Sequence, residues 1–281
     1  MDGIIIINKP KNMTSHDVVG QLRKILKTKK IGHAGTLDPL ATGVLVLGVG
    51  KATKLLQFLS ADTKIYQATL TLGKATTTYD SEGEVLKERP YLDDLNEQEI
   101  KAVLKSFLGD SMQVPPIYSA IKKDGKKLYD YARNNEEVEI EARPIHISKI
   151  DLISHEKQKV VFEVCCSKGT YIRSLCVDIA KKLGYPGMMS DLVRLQSGSF
   201  KLEDALTLEE VKEGRSEFIG IDKALKDMPS LVIEDESIVY HGKKIKNACD
   251  CQVAVYNQQG HLLAVYGPDG KGYLKSVRGL W

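Results

Sequence analysis

The sequence predicts an α+β fold with a second, smaller β-rich unit at the C-terminal end. Three observations carry this. Apolar runs such as Ile4 to Ile7 and Val44 to Val49, and the alternating stretch Ile65 to Gly73, read as strands of a core sheet. Other segments place apolar residues at helical spacing. Past Asp222 the texture changes to short strands separated by turn residues. With 281 residues, one large domain and a small one are expected.

Composition narrows the class. Hydrophobic residues make up 42% and charged residues 27%, as in ordinary globular proteins. The formal net charge of +3 permits a nucleic-acid partner without demanding one. Ile4 to Ile7 is too short for a signal peptide, and no apolar run reaches membrane-spanning length. The expected compartment is therefore the cytoplasm, with no membrane partner. Five cysteines show no metal spacing. Cys165-Cys166 lie in an alternating strand pattern, and Cys249-Asp250-Cys251 has no His or Cys neighbours, so all are expected as buried free thiols.

Taken in order, residues 3–8 form the first predicted strand. The turn-rich Asn8 to Ser15 follows, and Thr14 or Ser15 can cap a helix whose inner face is Val18, Val19, Leu22, Ile25 and Leu26. Arg23, Lys24, Lys27, Lys29 and Lys30 crowd its end, where cations suit the helix dipole and would equally suit a phosphate backbone.

Ile31 to Thr53 is unusual in holding five glycines, one proline and a single acid, Asp38. Gly32 and Gly35 permit backbone conformations closed to other residues. Pro39 pushes Asp38 toward extended backbone. A lone carboxylate is thus held on a stiff loop beside a core strand. An ordinary Asp-Pro turn is the alternative on local chemistry.

A short helix is expected over residues 54–59. In the next strand Tyr66, Ala68, Leu70 and Leu72 share one face, which puts a phenol at the end of an apolar row. Both a structural and a functional tyrosine are open there. Asp80 to Gly83 reads as a turn. Asn96 to Glu99 opens a helix with a capping box, continued by Ile100, Val103, Leu104, Phe107 and Leu108 and stopped by Gly109. Val114 to Asp130 mixes two prolines, four lysines, Tyr118 and Tyr129. That is compatible with looped RNA or with an exposed connection.

Strands follow at residues 145–153 and 159–166. Ser167 to Thr170 turns into a helix carrying Ile172, Leu175, Cys176, Ile179 and Leu183 on one face, ended by Gly184 to Gly187. Arg173 sits in its first turn, poorly placed for the dipole, so an anion should compensate it. Thr207 to Glu210 is another capping box. Beyond a linker at Met228-Pro229-Ser230, strands at residues 231–233, 252–256 and 261–266, the last two joined as a hairpin, suggest a small β-barrel-like module.

Gly43 to Gly48 has the glycine spacing of a phosphate-binding loop, but Val49 stands where the lysine must be. No histidine stands at metal spacing.

Several motifs in one order resemble the TruB family of tRNA pseudouridine-55 synthases: Lys9-Pro10 with Thr14-Ser15; Gly32-His33-Ala34-Gly35-Thr36-Leu37-Asp38-Pro39 through Gly43; Lys64-Ile65-Tyr66; Pro115-Pro116-Ile117-Tyr118-Ser119-Ala120; and Lys168-Gly169-Thr170-Tyr171-Ile172-Arg173. Asn12 stands where the family usually has glycine, and Met188-Met189 where a small residue is expected. The resemblance implies a pseudouridine synthase fold, with a mixed, largely antiparallel central sheet and flanking helices over residues 1–226. It implies an RNA-gripping insertion near 113–143 and a PUA-like RNA-binding module over 229–281. The activity implied is isomerisation of a T-loop uridine of tRNA, flipped from its stack, by cutting C1′–N1 and joining C1′–C5. Asp38 would be the catalytic carboxylate, as nucleophile or ribose base. Tyr66 would stack on the base and help remove the C5 proton, and Arg173 would pair with the acid. His33 would fill the space left by flipped bases, and Tyr171 and Leu192 would line the uracil pocket. Lys9 and Lys64 would belong to the substrate-binding surface. No cofactor or metal is implied, and tRNA, met at its T arm and acceptor end, is the partner of a monomer needing no protein partner. A non-catalytic tRNA-folding factor and a guide-RNA-dependent synthase are the alternatives.

Overall fold

The computed structural model describes residues 2–59, 63–247 and 249–280. The outer ends of the two expected domains, Met1 and Trp281, lie outside the described residues. A mixed sheet of nine strands among the described residues forms the frame. Its main order is Gly3–Lys9, Thr42–Val49, Gly187–Ser197, Thr63–Leu72, Lys159–Ser167, Arg143–Glu156 and Gly109–Gln113. Every main pairing is antiparallel except that of Gly187–Ser197 with Thr42–Val49. The expected mixed, largely antiparallel sheet is therefore what forms.

The first two strands carry continuous apolar runs because both of their faces are covered. Ile5, Ile7, Leu45 and Leu47 pack with Val18, Val19 and Leu22 of the helix Ser15–Ile25. On the other face Ile4, Ile6, Val44 and Val46 share a core with Ala254, Leu262 and Val265 of the C-terminal sheet. Burial on two faces removes the alternation that a half-exposed strand shows. The strand Thr63–Leu72 does alternate, and its inner row Tyr66, Ala68, Leu70 and Leu72 joins a core with Leu175, Cys176 and Ile179 of the helix Ile172–Lys182.

Helix starts follow the sequence. Thr14, Asn96 and Thr207 each form a reciprocal capping box, which satisfies two amide donors at once. Among the described residues the C-terminal module is a five-stranded sheet in the order Ser230–Ile233, Val253–Asn257, Leu262–Pro268, Tyr273–Gly279 and Ile245–Lys246.

Three expectations change. The helix placed at residues 54–59 is a 3-10 helix over Gly50–Leu55, where Thr53 Oγ1 donates to the carbonyl of Gly50 at 2.7 Å and tightens the turn. The central strand Gly187–Ser197 has no counterpart in the sequence-based reading; bulges at Met189/Asp191 and Arg194/Gln196 break its two-residue period. Cys249 and Cys251 form a disulfide, while Cys165, Cys166 and Cys176 are free. The two Cα atoms lie 5.4 Å apart, within bridging reach, and the Cys249 amide donates to the Asn247 carboxamide oxygen.

The departures from the family pattern are accommodated. Asn12 takes φ 64°, the left-handed region that asparagine tolerates best after glycine. Met189 is fully buried in the main core. Gly187 has no such freedom: a Cβ there would lie 2.3 Å from the Cβ of Ala180, so this strand and helix could not approach as they do.

Candidate active site

Asp38 is held by the segment that precedes it in the chain. The Leu37 amide donates to Ser15 Oγ at 2.8 Å, and that hydroxyl donates back to the Leu37 carbonyl at 3.2 Å. The Pro39 carbonyl accepts from the Asn12 amide at 2.9 Å and from Lys9 Nζ at 3.2 Å. Lys9 is fully buried and also donates to the carbonyls of Pro10 and Met13. The first motif thus acts as a clamp on both sides of the carboxylate.

Arg173 has the anion that its place at a helix start demands. Its Nε lies 3.0 Å from Asp38 Oδ2, and its Nη1 3.6 Å from Asp80 Oδ2. The remaining donors reach the carbonyls of Thr78 and Tyr118, each at 3.0 Å. Four acceptors in two directions suit a planar guanidinium and no ammonium. Burial raises Asp38 above the ordinary carboxylate value, Arg173 pulls it down, and Asp80 pushes it up again; the net direction is upward.

Both groups open onto a cleft of about 580 Å³. Tyr66, Tyr171, Leu192 and Lys64 line it together with Asp38 and Arg173. Tyr118, Ser119 and Ala120 of the proline-bearing segment form another wall, tied down where Ser174 Oγ donates to the Val114 carbonyl at 2.9 Å. Gln113 fixes Tyr171 by accepting from its amide at 2.8 Å and donating to its carbonyl at 3.1 Å. Burial lifts the Tyr66 phenol above its ordinary value, while Arg194 opposes the shift.

Six of the eight expected site residues therefore share one cleft. Lys9 lies behind the Asp38 loop and not in the cleft wall. His33 ends the edge strand Ile31–His33, also outside the wall, and burial lowers its pKa. Sequence reasoning missed Asp80, which is 3% exposed although its Asp80 to Gly83 setting reads as a simple turn. Tyr79, just before it, takes the left-handed region at φ 65°, and the Thr78 hydroxyl and the Glu82 amide donate to the Asp80 carboxylate. It also missed Arg194, 2% exposed in the unforeseen strand.

The lysines of residues 122–127 form a two-stranded hairpin, Lys122–Lys123 with Lys126–Lys127, leading into a short helix Leu128–Arg133. Their charge is partly spent inside this region: Lys126 pairs with Glu136 and lies 4.5 Å from the Tyr131 ring, and Lys127 lies 5.1 Å from the Tyr129 ring.

Comparison with known proteins agrees with this geometry. The chain matches the TruB family pseudouridylate synthase N-terminal domain over residues 23–172 and the tRNA pseudouridylate synthase B C-terminal domain over residues 173–232. A protein of Bacillus cytotoxicus named tRNA pseudouridine synthase B is 44% identical, the match covering 99% of this chain and 97% of that one. Its namesake in Bacillus anthracis is 43% identical with the same coverage. Among solved structures, a Cbf5-Nop10-Gar1 complex matches with TM-score 0.76 and 27% identity over 99% of this chain and 85% of that one. An H/ACA RNP bound to a substrate RNA containing 2′-deoxyuridine matches with TM-score 0.72 and 26% identity, over 99% and 85%.

The sheet and its cleft are those of a pseudouridine synthase, an isomerase acting on RNA. Within that class the chain belongs to the TruB family.

Proposed function

We propose that this chain converts the T-loop uridine at position 55 of tRNA to pseudouridine, acting as a cytoplasmic monomer without cofactor or protein partner. The observation that carries the reading is the Asp38–Arg173 pair, 3.0 Å apart, opening onto a cleft with Tyr66 on its wall. In this reading residues 1–226 are the catalytic domain. The hairpin and helix within about 113–143 grip the T arm, and residues 229–281 meet the acceptor end.

A stacked uridine is out of reach, so it must flip into the cleft at a cost of a few kcal/mol. Contacts with Tyr66, and His33 filling the vacated stack, offset that cost. Asp38 then acts on the ribose, as nucleophile at C1′ or as base for a ribose proton. The C1′–N1 bond breaks, the uracil turns within the pocket made by Tyr171 and Leu192, and C5 bonds to C1′. The C5 proton leaves, and N1 takes up a proton. Tyr66 stands beside the base for the C5 step, and Lys64 on the cleft wall supplies positive charge toward the RNA.

Treating one unmodified tRNA transcript with pure chain and mapping the modified nucleotide tests the reading. Pseudouridine at the T-loop position, with tritium released from C5-labelled uridine, is expected. Modification elsewhere, or a need for guide RNA and protein partners, would overturn it. Asp38→Asn that binds tRNA normally and releases no tritium separates an enzyme from a folding factor.

A further inference from the structure

The cleft holds a second buried arginine for which the reaction above gives no task. Arg194 lies directly opposite Tyr66 in the register of the strands Gly187–Ser197 and Thr63–Leu72, and both side chains line the cleft. Its Nε donates to the Val44 carbonyl at 2.6 Å, Nη2 to Gly35 at 3.3 Å and Nη1 to Thr36 at 3.5 Å. Arg173 faces two carboxylates, whereas these three partners of Arg194 are neutral oxygens. Gly43 lets the two strands approach at this point, since a Cβ there would lie 2.3 Å from the Arg194 backbone carbonyl oxygen.

A buried cation balanced only by carbonyl dipoles is costly unless negative charge develops beside it. Tyr66 is the titratable group that faces it across the sheet in the shared cleft, and the guanidinium opposes the rise that burial gives the phenol.

We propose that Arg194 is a positioning residue for Tyr66: it orients the phenol oxygen toward the flipped base and stabilises negative charge there while the C5 proton departs. This rests on the pseudouridine reading above. Once C5 has bonded to C1′, that carbon carries both ribose and hydrogen. The C5–H bond breaks and its electron pair forms the C5–C6 double bond. The C6–N1 π pair moves to N1, which takes a proton from water. The Tyr66 hydroxyl gives its proton to water, which leaves negative charge on the oxygen, and that oxygen then takes the C5 proton and ends neutral. Burial opposes such charge and the Arg194 guanidinium offsets it. The two arginines divide the cleft: Arg173 serves the acid, Arg194 the phenol.

Single-turnover reactions with tRNA carrying hydrogen or deuterium at uridine C5 test this in the full chain, in Arg194→Lys and in Tyr66→Phe. The unmodified chain forms pseudouridine; failure there would refute the functional reading and leave Arg194 aside. Arg194→Lys is expected to be slowed about 10²- to 10³-fold, as for loss of one charge-stabilising donor, and to show a larger deuterium effect than the unmodified chain. Tyr66→Phe is expected to show the same isotope signature, and the double variant to be no slower than the worse single one. A slow Arg194→Lys whose isotope effect matches the unmodified chain would overturn the proposal, because bracing of the Gly35–Thr36 loop would then be the whole role. Tyr66→Phe leaves Arg194 in place and decides the matter even if Arg194→Lys fails to fold: no added isotope effect there also overturns it.

Discussion

Replacing Arg173 by methionine removes the cation and keeps most of the volume. Two consequences can be sized separately. Unit charges 3.0 Å apart attract by about 5 kcal/mol at an effective dielectric of 20. The Asp38 side chain is 37% exposed, so solvent screens much of this. What survives still pulls the Asp38 carboxyl below where burial alone would put it, so the acid limb of the rate profile is expected to move to higher pH in Arg173→Met. At its plateau the rate should still be about 10²- to 10³-fold low, because the carboxylate loses the donor that its Oδ2 faces. Stability falls as well, since Asp80 and two carbonyls lose their donor; breaking a buried pair costs about 3–5 kcal/mol. The assay is single-turnover pseudouridine formation at saturating tRNA from pH 5 to 9, with binding measured in parallel. Normal single-turnover rates with weakened tRNA affinity, or an acid limb that does not move, would refute the pairing argument.

Four other variants probe the same geometry. Asp38→Asn should lose several decades of rate, each decade being about 1.4 kcal/mol of barrier, yet bind tRNA and fold. Because the folded-state pKa of Asp38 is raised, its charge opposes folding above that pKa; Asp38→Asn should melt no lower than the unmodified chain at pH 7, with the difference closing as pH falls and Asp38 protonates. Lys9→Met strands three carbonyls at about 1–3 kcal/mol for each buried unmet group, so urea melts should show a loss of at least ~2 kcal/mol. Burial lowers Lys9 to about 8, so the folded state sheds its proton first; the stability advantage over Lys9→Met should grow as pH rises from 8 toward 10.5. Gly43→Ala forces a side chain into φ 98° and onto the Arg194 backbone, costing about 1–3 kcal/mol or more, whereas Gly20→Ala meets nothing within 4 Å in its helix and should stabilise by about 0.5–1 kcal/mol in thermal melts.

What the sequence made legible was local in origin. The strand Thr63–Leu72 and the helix capped by Asn96 announce themselves by period and by cap, and both form where expected. The stiff setting of Asp38 was legible from the glycine and proline that bracket it, and the need of Arg173 for an anion from its place at a helix start, but local chemistry left Asp38 open to an ordinary turn and the order of motifs singled the pair out. The strand Gly187–Ser197 was not legible, since its two bulges scramble the alternation and its arginine stands on the buried face. Asp80 was hidden for a related reason: a turn aspartate and a buried ligand of Arg173 share one local sequence, and only long-range packing tells them apart. Pairing of Cys249 with Cys251 likewise depends on a loop shape that spacing does not encode.

Lys9 shows how function can depend on a residue that is outside the cleft. Its position in the first motif suggests contact with substrate, yet all three acceptors of its ammonium are backbone carbonyls, and one of them, that of Pro39, directly follows Asp38. In the proposed reaction the carboxylate acts ionised while partly desolvated, a state that burial resists and Arg173 partly offsets. Such a balance survives only if distance is kept, because attraction at 3.0 Å decays quickly once the loop drifts and water enters. Ser15 on one flank and Lys9 with Asn12 on the other remove that drift. If Asp38 acts as proposed, rigidity behind the acid is part of its chemistry, and a fault in the first motif should be felt in the rate of bond cleavage before it is felt in RNA affinity.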